Sequence, residues 1–252
     1  LVVVGTEAFR RAANAEEYVE EIKRVLKLRV EVLDGAEEAR LSALAVMRSL
    51  ELPEGRIAVA DIGGGSTEVI RLRDGAMESS LSLPVGVRTL TDAHAGRAPL
   101  SEDAGEALGD AVAAALSDAA EPADILVGVG GTTATLAAMQ LELEPFDLDR
   151  IHGFELLRSD ADDIYEELAE STLAERRRLK GLPDDRVDVM PAGAATTLGL
   201  TAACGVARPP ACACGLRPRV LHHRSVGASS PPPALTSPPG PPSPPPAPVP
   251  GA

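Results

Sequence analysis

The densest chemistry in the chain lies in Asp61-Ile62-Gly63-Gly64-Gly65-Ser66-Thr67-Glu68. An acid closes an apolar run, three glycines let backbone approach an anion, and two hydroxyls precede a second acid. Unhindered N–H groups in such a turn form a nest for phosphate. Asp61 and Glu68 offer the hard oxygens that hold Mg2+ or orient a water beside that phosphate. Without further context the same segment is a glycine-rich hairpin with acids at its ends. A second glycine turn, Gly128-Val129-Gly130-Gly131-Thr132-Thr133, separates an apolar run from a helical pattern. There Gly130, Gly131 and Thr132 present amides at a helix start, which favours negative charge. Taken alone, that turn is an ordinary strand-to-helix connection.

The elements around these turns follow from periodicity. Val2 to Val4 is a β-branched run that reads as a central strand. Tyr18, Val19, Ile22, Val25 and Leu26 recur at helical spacing behind Asn14, so 15–27 is expected to be an amphipathic helix capped by Asn14. A strand over 29–33 and a helix over 37–50 come next. Ile57 to Ile62 is a buried strand running into the first glycine turn. With 68–72 and 77–83 flanking Asp74-Gly75, it forms an antiparallel meander. Helices are expected at 86–95, 102–119, 132–141, 160–169, 173–179 and 191–203, with a second buried strand at 125–129. Two strand-end glycine loops in one domain point to an α/β fold of the actin-like ATPase and sugar-kinase kind, in which two RNase H-like lobes hold phosphates between them.

Composition narrows the function. The chain has 252 residues and a net charge of −14, and all 38 acidic side chains precede residue 204. Such a surface is a poor match for nucleic acid, which needs clustered Lys and Arg. A phosphorylated small substrate remains compatible if a divalent cation bridges it to carboxylates. No apolar run approaches the ~20 residues of a membrane helix. Residues 1–203 contain no cysteine, as expected of a reducing cytoplasm. From 204 onward the composition changes to proline-rich with four arginines and no acid, so 204–252 is expected to be a disordered tail of polyproline II character. Cys204, Cys212 and Cys214, near His222 and His223, match no zinc spacing.

Several pieces together resemble the Ppx/GppA phosphatase family. They are Gly35-Ala36-Glu37-Glu38-Ala39-Arg40-Leu41 followed by the 61–68 segment, Gly5 to Arg10 with Ala13-Asn14, and Ser82-Leu83-Pro84-Val85-Gly86. Further on come Gly128 to Thr133, Ile151-His152-Gly153, Glu175-Arg176, and Arg186-Val187-Asp188 with Pro191-Ala192-Gly193. The resemblance spans about residues 1–203. It implies Mg2+-dependent hydrolysis of terminal phosphoanhydride bonds in inorganic polyphosphate or guanosine pentaphosphate. In that reading Glu38 is the base that activates water, Asp61 and Glu68 bind the metal or assist the water, Gly63 to Thr67 bind phosphate, and Arg10 clamps the phosphate chain. Family members commonly dimerise, so a homodimer is also expected.

Without the resemblance, Glu38 belongs to a solvated first helical turn and Arg10 to the surface. His152 reads as structural, and Asp160, Asp162 and Asp163 as an acidic helix start. Family members open with a strand and a first phosphate loop that this chain does not carry, so the lobe over 1–53 is expected to be incomplete beside a second lobe over 56–203. A change of reading frame near Cys204 is the expected origin of the proline-rich end. Two rival readings are a catalytically impaired polyphosphate- or nucleotide-binding fragment and an ATPase or kinase of the same superfold.

Overall fold

Residues 3–96, 98–206 and 210–212 are described by the computed structural model. The first part of the chain forms β1 (Val3–Gly5), α1 (Glu7–Arg11), α2 (Ala15–Leu26), β2 (Val30–Val32) and α3 (Gly35–Ser49). β1 and β2 pair in parallel, Val3 opposite Val30. The periodicity of α2 is as expected, with Glu16 and Glu17 in its first turn and Lys23 and Arg24 in its last. Its apolar stripe is only partly covered, however: Val19 and Ile22 are half-buried, no residue of α2 is fully buried, and Tyr18, Val25 and Leu26 are exposed. Asn14 occupies the N-cap position but its side chain makes no capping bond, which corrects the expectation. The short α1 was not foreseen, because its five residues bury nothing and so carry no apolar period.

α3 starts two residues earlier than its apolar pattern suggests. Asp34 caps it, with Oδ1 accepting from the Glu37 amide at 2.8 Å. This bond satisfies one of the amides that a helix start leaves without an intrahelical partner.

The remainder builds one six-stranded sheet. β3 (Arg56–Ile62), β4 (Thr67–Arg73) and β5 (Ala76–Leu83) form the antiparallel meander. Asp74 and Gly75 both take positive φ, +50° and +78°, the turn that matches strand twist. Beyond the meander lie α4 (Val87–Leu90), which continues as one wide turn over Thr91–Ala95, and α5 (Glu102–Leu116). β6 (Ile125–Val129) then leads into α6 (Gly131–Gln140), α7 (Leu148–Ile151), β7 (Phe154–Glu155), α8 (Arg158–Glu170), α9 (Leu173–Arg176), α10 (Met190–Cys204) and β8 (Pro210–Cys212). The strand order is β5-β4-β3-β6-β8-β7, with β6 parallel to both β3 and β8. An antiparallel meander continued by parallel strands is the RNase H-like arrangement of the actin-like class.

The expected tail boundary at 204 falls inside this architecture. α10 runs through Cys204 and ends on Gly205 at φ +64°, and Pro210–Cys212 lies in the sheet between β6 and β7. Cys204 is buried, its Sγ 3.7 Å from Arg71 Nη1, so it belongs to the core and not to the tail. The expected disorder and polyproline character of 213–252 lies outside the described residues.

Alternation along the strands gives the sheet two apolar faces. Ala58, Ala60, Ile62 and Val69 face α5 and α10. Ile57, Val59, Ile70 and Leu72 face α3, against Ala39, Ala43 and Val46. Those three α3 residues recur at i, i+4 and i+7, one helical stripe. Although α3 lies within the 1–53 segment, its buried stripe therefore packs on the sheet of the second lobe. That packing positions the site.

Candidate functional site

Period-2 alternation puts Asp61 on the same face as Ile57 and Val59, and Glu68 on the same face as Ile70 and Leu72. The register sets Asp61 directly opposite Glu68. Two carboxylates thus continue an apolar surface at its end. The N-terminal end of α3 lies over the same place: Ser42 Oγ donates to Asp61 Oδ2 at 3.3 Å, and Glu38, one helical turn earlier, faces the same way. Glu38 is only 7% exposed, and its Oε2 accepts from Arg10 Nη1 at 2.9 Å. The same Arg10 nitrogen also donates to Leu33 O at 2.7 Å. Glu68, 2% exposed, accepts at Oε1 from Ser66 Oγ and from Ser82 Oγ, each at 2.8 Å.

The electrostatics match this crowding. Burial pushes the Glu38 carboxyl above its ordinary value; the Arg10 pair opposes this, while the charges of Asp61 and Glu7 add to it. Glu68 is likewise pushed up by burial first, its two serine bonds opposing and the charges of Glu38 and Asp61 reinforcing. These groups share one field, and each anion makes the next harder to ionise.

The glycine loop is held from below. Gly63 N donates to Ser66 O at 2.9 Å, and the Gly63 and Gly64 carbonyls accept from Val87 N at 2.9 Å and Arg88 N at 2.8 Å at the start of α4. The expected role of the loop hydroxyls is thereby altered. Ser66 donates to Glu68, and Thr67, fully buried, donates to Val85 O at 2.7 Å. Thr132 donates to Ile62 O at 2.9 Å, fastening the second glycine turn to the first. The hydroxyls of Ser66, Thr67 and Thr132 and the Gly63 amide are thus spent on fixing the loops, while Gly64 and Gly131 line the cavity beside them. Gly65 lies under the carboxylate of Glu7 and not in the open.

Close approach explains several of these glycines. A Cβ at Gly130, where φ is +88°, would meet Asp61 Oδ1 at 2.6 Å. At Gly131 it would collide with the Arg186 guanidinium. At Gly86 it would meet the Gly64 carbonyl carbon at 2.5 Å and Gly63 O at 2.6 Å, both backbone atoms that cannot rotate away. Gly86→Ala should therefore cost about 2–3 kcal/mol, as overpacking of a tight contact does. Urea unfolding would register it as a lower midpoint at unchanged slope.

Beside Asp61 opens a cavity of about 290 Å³, lined among others by Gly63, Gly64, Arg88, Gly131 and Arg186. Arg88 is anchored by Asp188, Nη1 to Oδ2 at 2.6 Å. Asp61 therefore stands between a carboxylate cluster with Glu38 and Glu68 on one side and, on the other, a glycine-lined cavity to which Arg88, Arg186 and Asp185 also contribute. Sequence reasoning singled out Glu38, Asp61, Glu68 and both glycine turns, and the fold brings them together. It missed Ser42, Ser82, Arg88 and Arg186 as site residues. Ser42 carried a signal, being four residues after Glu38 on one helix, and Ser82 and Arg186 lie in pieces that carry the family resemblance; strand register and long-range packing alone join Ser82, Arg88 and Arg186 to the site. Arg10 is turned to Glu38 and Leu33. His152 has Nε2 2.9 Å from Ser49 O, and Asp160 accepts from Leu157 N at 3.1 Å, both structural contacts.

Among the described residues, no group of three or more His, Cys, Asp or Glu forms a ready-made metal cage. The donor set still fits a hard divalent cation that keeps waters and takes one or two carboxylates. Asp61 and Glu68 are such a pair; burial raises Glu68 first, and the charges of Glu38 and Asp61 add a repulsion that a cation relieves.

An RNase H-like lobe with acids and glycine loops at the ends of its strands defines an α/β protein of the actin-like class. More narrowly, a sequence profile of the Ppx/GppA phosphatase family matches residues 1–220, and the chain belongs to that family. It is 30% identical over 203 residues to the guanosine-5'-triphosphate,3'-diphosphate pyrophosphatase of Aeromonas salmonicida, covering 79% of this chain and 39% of that protein. It is 40% identical over 91 residues to exopolyphosphatase 1 of Mycobacterium leprae, covering 36% of this chain and 27% of that protein. The chain thus spans well under half the length of these relatives. The crystal structure of the Aquifex aeolicus Ppx/GppA family member superposes with a TM-score of 0.80 at 34% identity, over 89% of this chain and 74% of that one. No helix among the described residues is long and apolar enough to cross a membrane.

Proposed function

We propose that this protein hydrolyses the terminal phosphoanhydride bond of inorganic polyphosphate or guanosine pentaphosphate, with Glu38 as the base and Mg2+ held by Asp61 and Glu68. One observation carries the reading: Asp61, set opposite Glu68 and beneath the turn of α3 that carries Glu38 and Ser42, lines a cavity together with Gly63, Gly64, Gly131 and Arg186. Phosphoryl transfer needs mainly positioning and charge neutralisation around an in-line water. The amides of the two glycine turns and Arg186 would hold the terminal phosphate. Glu38, ionised, takes a proton from the water; the oxygen bonds to phosphorus as the bridging P–O bond breaks, and its electron pair leaves with the shortened chain. Orthophosphate is the other product. A bound Mg2+ would neutralise phosphate oxygens and lower the charge repulsion among the acids.

Orthophosphate release by the full chain, with Mg2+ and with polyphosphate, guanosine pentaphosphate or ATP in parallel, tests the reading. Release from either of the first two well above that from ATP is the expected result. Faster turnover of ATP would replace it with an ATPase or kinase of the same superfold, and binding of polyphosphate without release would reduce it to a binding fragment.

A further inference from the structure

Arg176 is the largest of the side chains buried to within 2% of full enclosure, at 1% exposure, and the cluster just described does not include it. It closes α9, a four-residue helix whose start is fixed by the reciprocal bonds Thr172 N to Glu175 Oε2 at 2.9 Å and Glu175 N to Thr172 Oγ1 at 3.3 Å. The guanidinium has no ion-pair partner at bonding distance among the described residues. Nε donates to Leu168 O at 2.7 Å, in the last turn of α8, and Nη1 donates to Val187 O at 3.2 Å. Nη2 is buried with no partner. Burying a charge among neutral acceptors with one donor unmet is costly, and an apolar side chain of similar length would pack there at lower cost.

What the guanidinium grips accounts for its place. Val187 sits between Arg186, whose guanidinium lies against Gly131 in the cavity, and Asp188, which pairs with Arg88 at 2.6 Å. Arg88 in turn donates its amide to Gly64 O at 2.8 Å. The carbonyl held from behind thus lies between the segment that carries Arg186 and the anchor of Arg88, the two arginines that line the cavity. Burial pushes the Arg176 guanidinium below its ordinary value, and the nearby charge of Asp188 opposes that push.

We propose that Arg176 is a positioning residue of the phosphate cavity, clamping the Val187 carbonyl so that Arg186 and the Asp188–Arg88 pair face the anion. This rests on the reading of that cavity as the phosphate site, and the test separates the two. Binding of Mg2+-tripolyphosphate is measured by calorimetry for the wild type, Arg176→Met, Arg176→Lys, Arg186→Met and the double variant Arg176→Met/Arg186→Met. Hydrogen bonds to a charged group are each worth enough for Arg176→Met to weaken binding about tenfold. Lysine keeps the charge but lacks the fork that reaches two carbonyls, so Arg176→Lys should lose about as much. Because Arg176 serves both Arg186 and the Asp188–Arg88 pair, the double variant should bind only slightly worse than Arg186→Met alone, well short of the two losses combined; a merely structural role would give additive losses. KM should rise with kcat nearly unchanged. Additive losses, or wild-type binding by both Arg176 variants, would overturn the proposal. Wild-type binding by Arg186→Met would instead remove the phosphate cavity itself, and the proposal with it. Should Arg176→Met fail to fold, Arg176→Lys with Arg186→Met completes the cycle.

Discussion

Replacing Glu38 with glutamine should lower phosphate release by about 10²–10⁴-fold, the range for loss of a positioned general base. The change keeps shape, and the amide oxygen can still accept from Arg10, so the melting temperature and far-UV circular dichroism should stay near those of the wild type. A loss of activity without a loss of fold is the discriminating result. An equal release rate from both proteins would sink the proposed role of Glu38. The pH profile adds a second check. Burial raises the Glu38 carboxyl, and the base must be ionised, so activity should fall on the acid side at a pH above the ordinary carboxyl range. Arg10 opposes that rise, so Arg10→Met should move the acid limb higher still.

Asp61→Asn should be the second most damaging change, lowering kcat by about 10²–10³-fold, the usual penalty for removing one electrostatic partner at a reacting centre. The Mg2+ concentration needed for half-maximal rate should rise with it. Asparagine retains an oxygen for the Ser42 hydroxyl, so the local packing survives. Its signature is opposite to that of Arg10→Met. The charge of Asp61 helps raise both Glu38 and Glu68, so its loss should move the residual acid limb to lower pH. Stability follows the same sign. Carboxyls raised in the folded state contribute stability below their unfolded values, and that contribution is lost as pH rises through the folded ones. At neutral pH the metal-free wild type therefore carries mutual repulsion that Asp61→Asn relieves, and the variant should melt higher while it works less. A lower melting temperature at neutral pH would contradict the shared field.

Part of this was legible because it is local. A strand running into three glycines and Asp74-Gly75 between alternating runs each act over a few residues, within reach of side-chain period and turn geometry. Residues 204–212 misled because an abrupt rise in proline and cysteine hides one more helical residue and a short strand. The partly covered stripe of α2 shows the complementary limit: period reveals which face is apolar, not how much of it is covered.

The amino-acid order by itself determined which residues could handle a phosphate: the acids at 38, 61 and 68 and the glycines at 63–65 and 130–131. Only the tertiary structure decided that they meet. α3 packs Ala39, Ala43 and Val46 onto the second sheet and so swings Glu38 over Asp61, while strand register seats Glu68 opposite. Arg186, 55 residues beyond Gly131, reaches the cavity through a turn whose carbonyl is gripped by buried Arg176. The reason is physical: side-chain type and period are short-range properties of the chain, whereas burial, register and the repulsion among converging charges exist only after distant segments have packed.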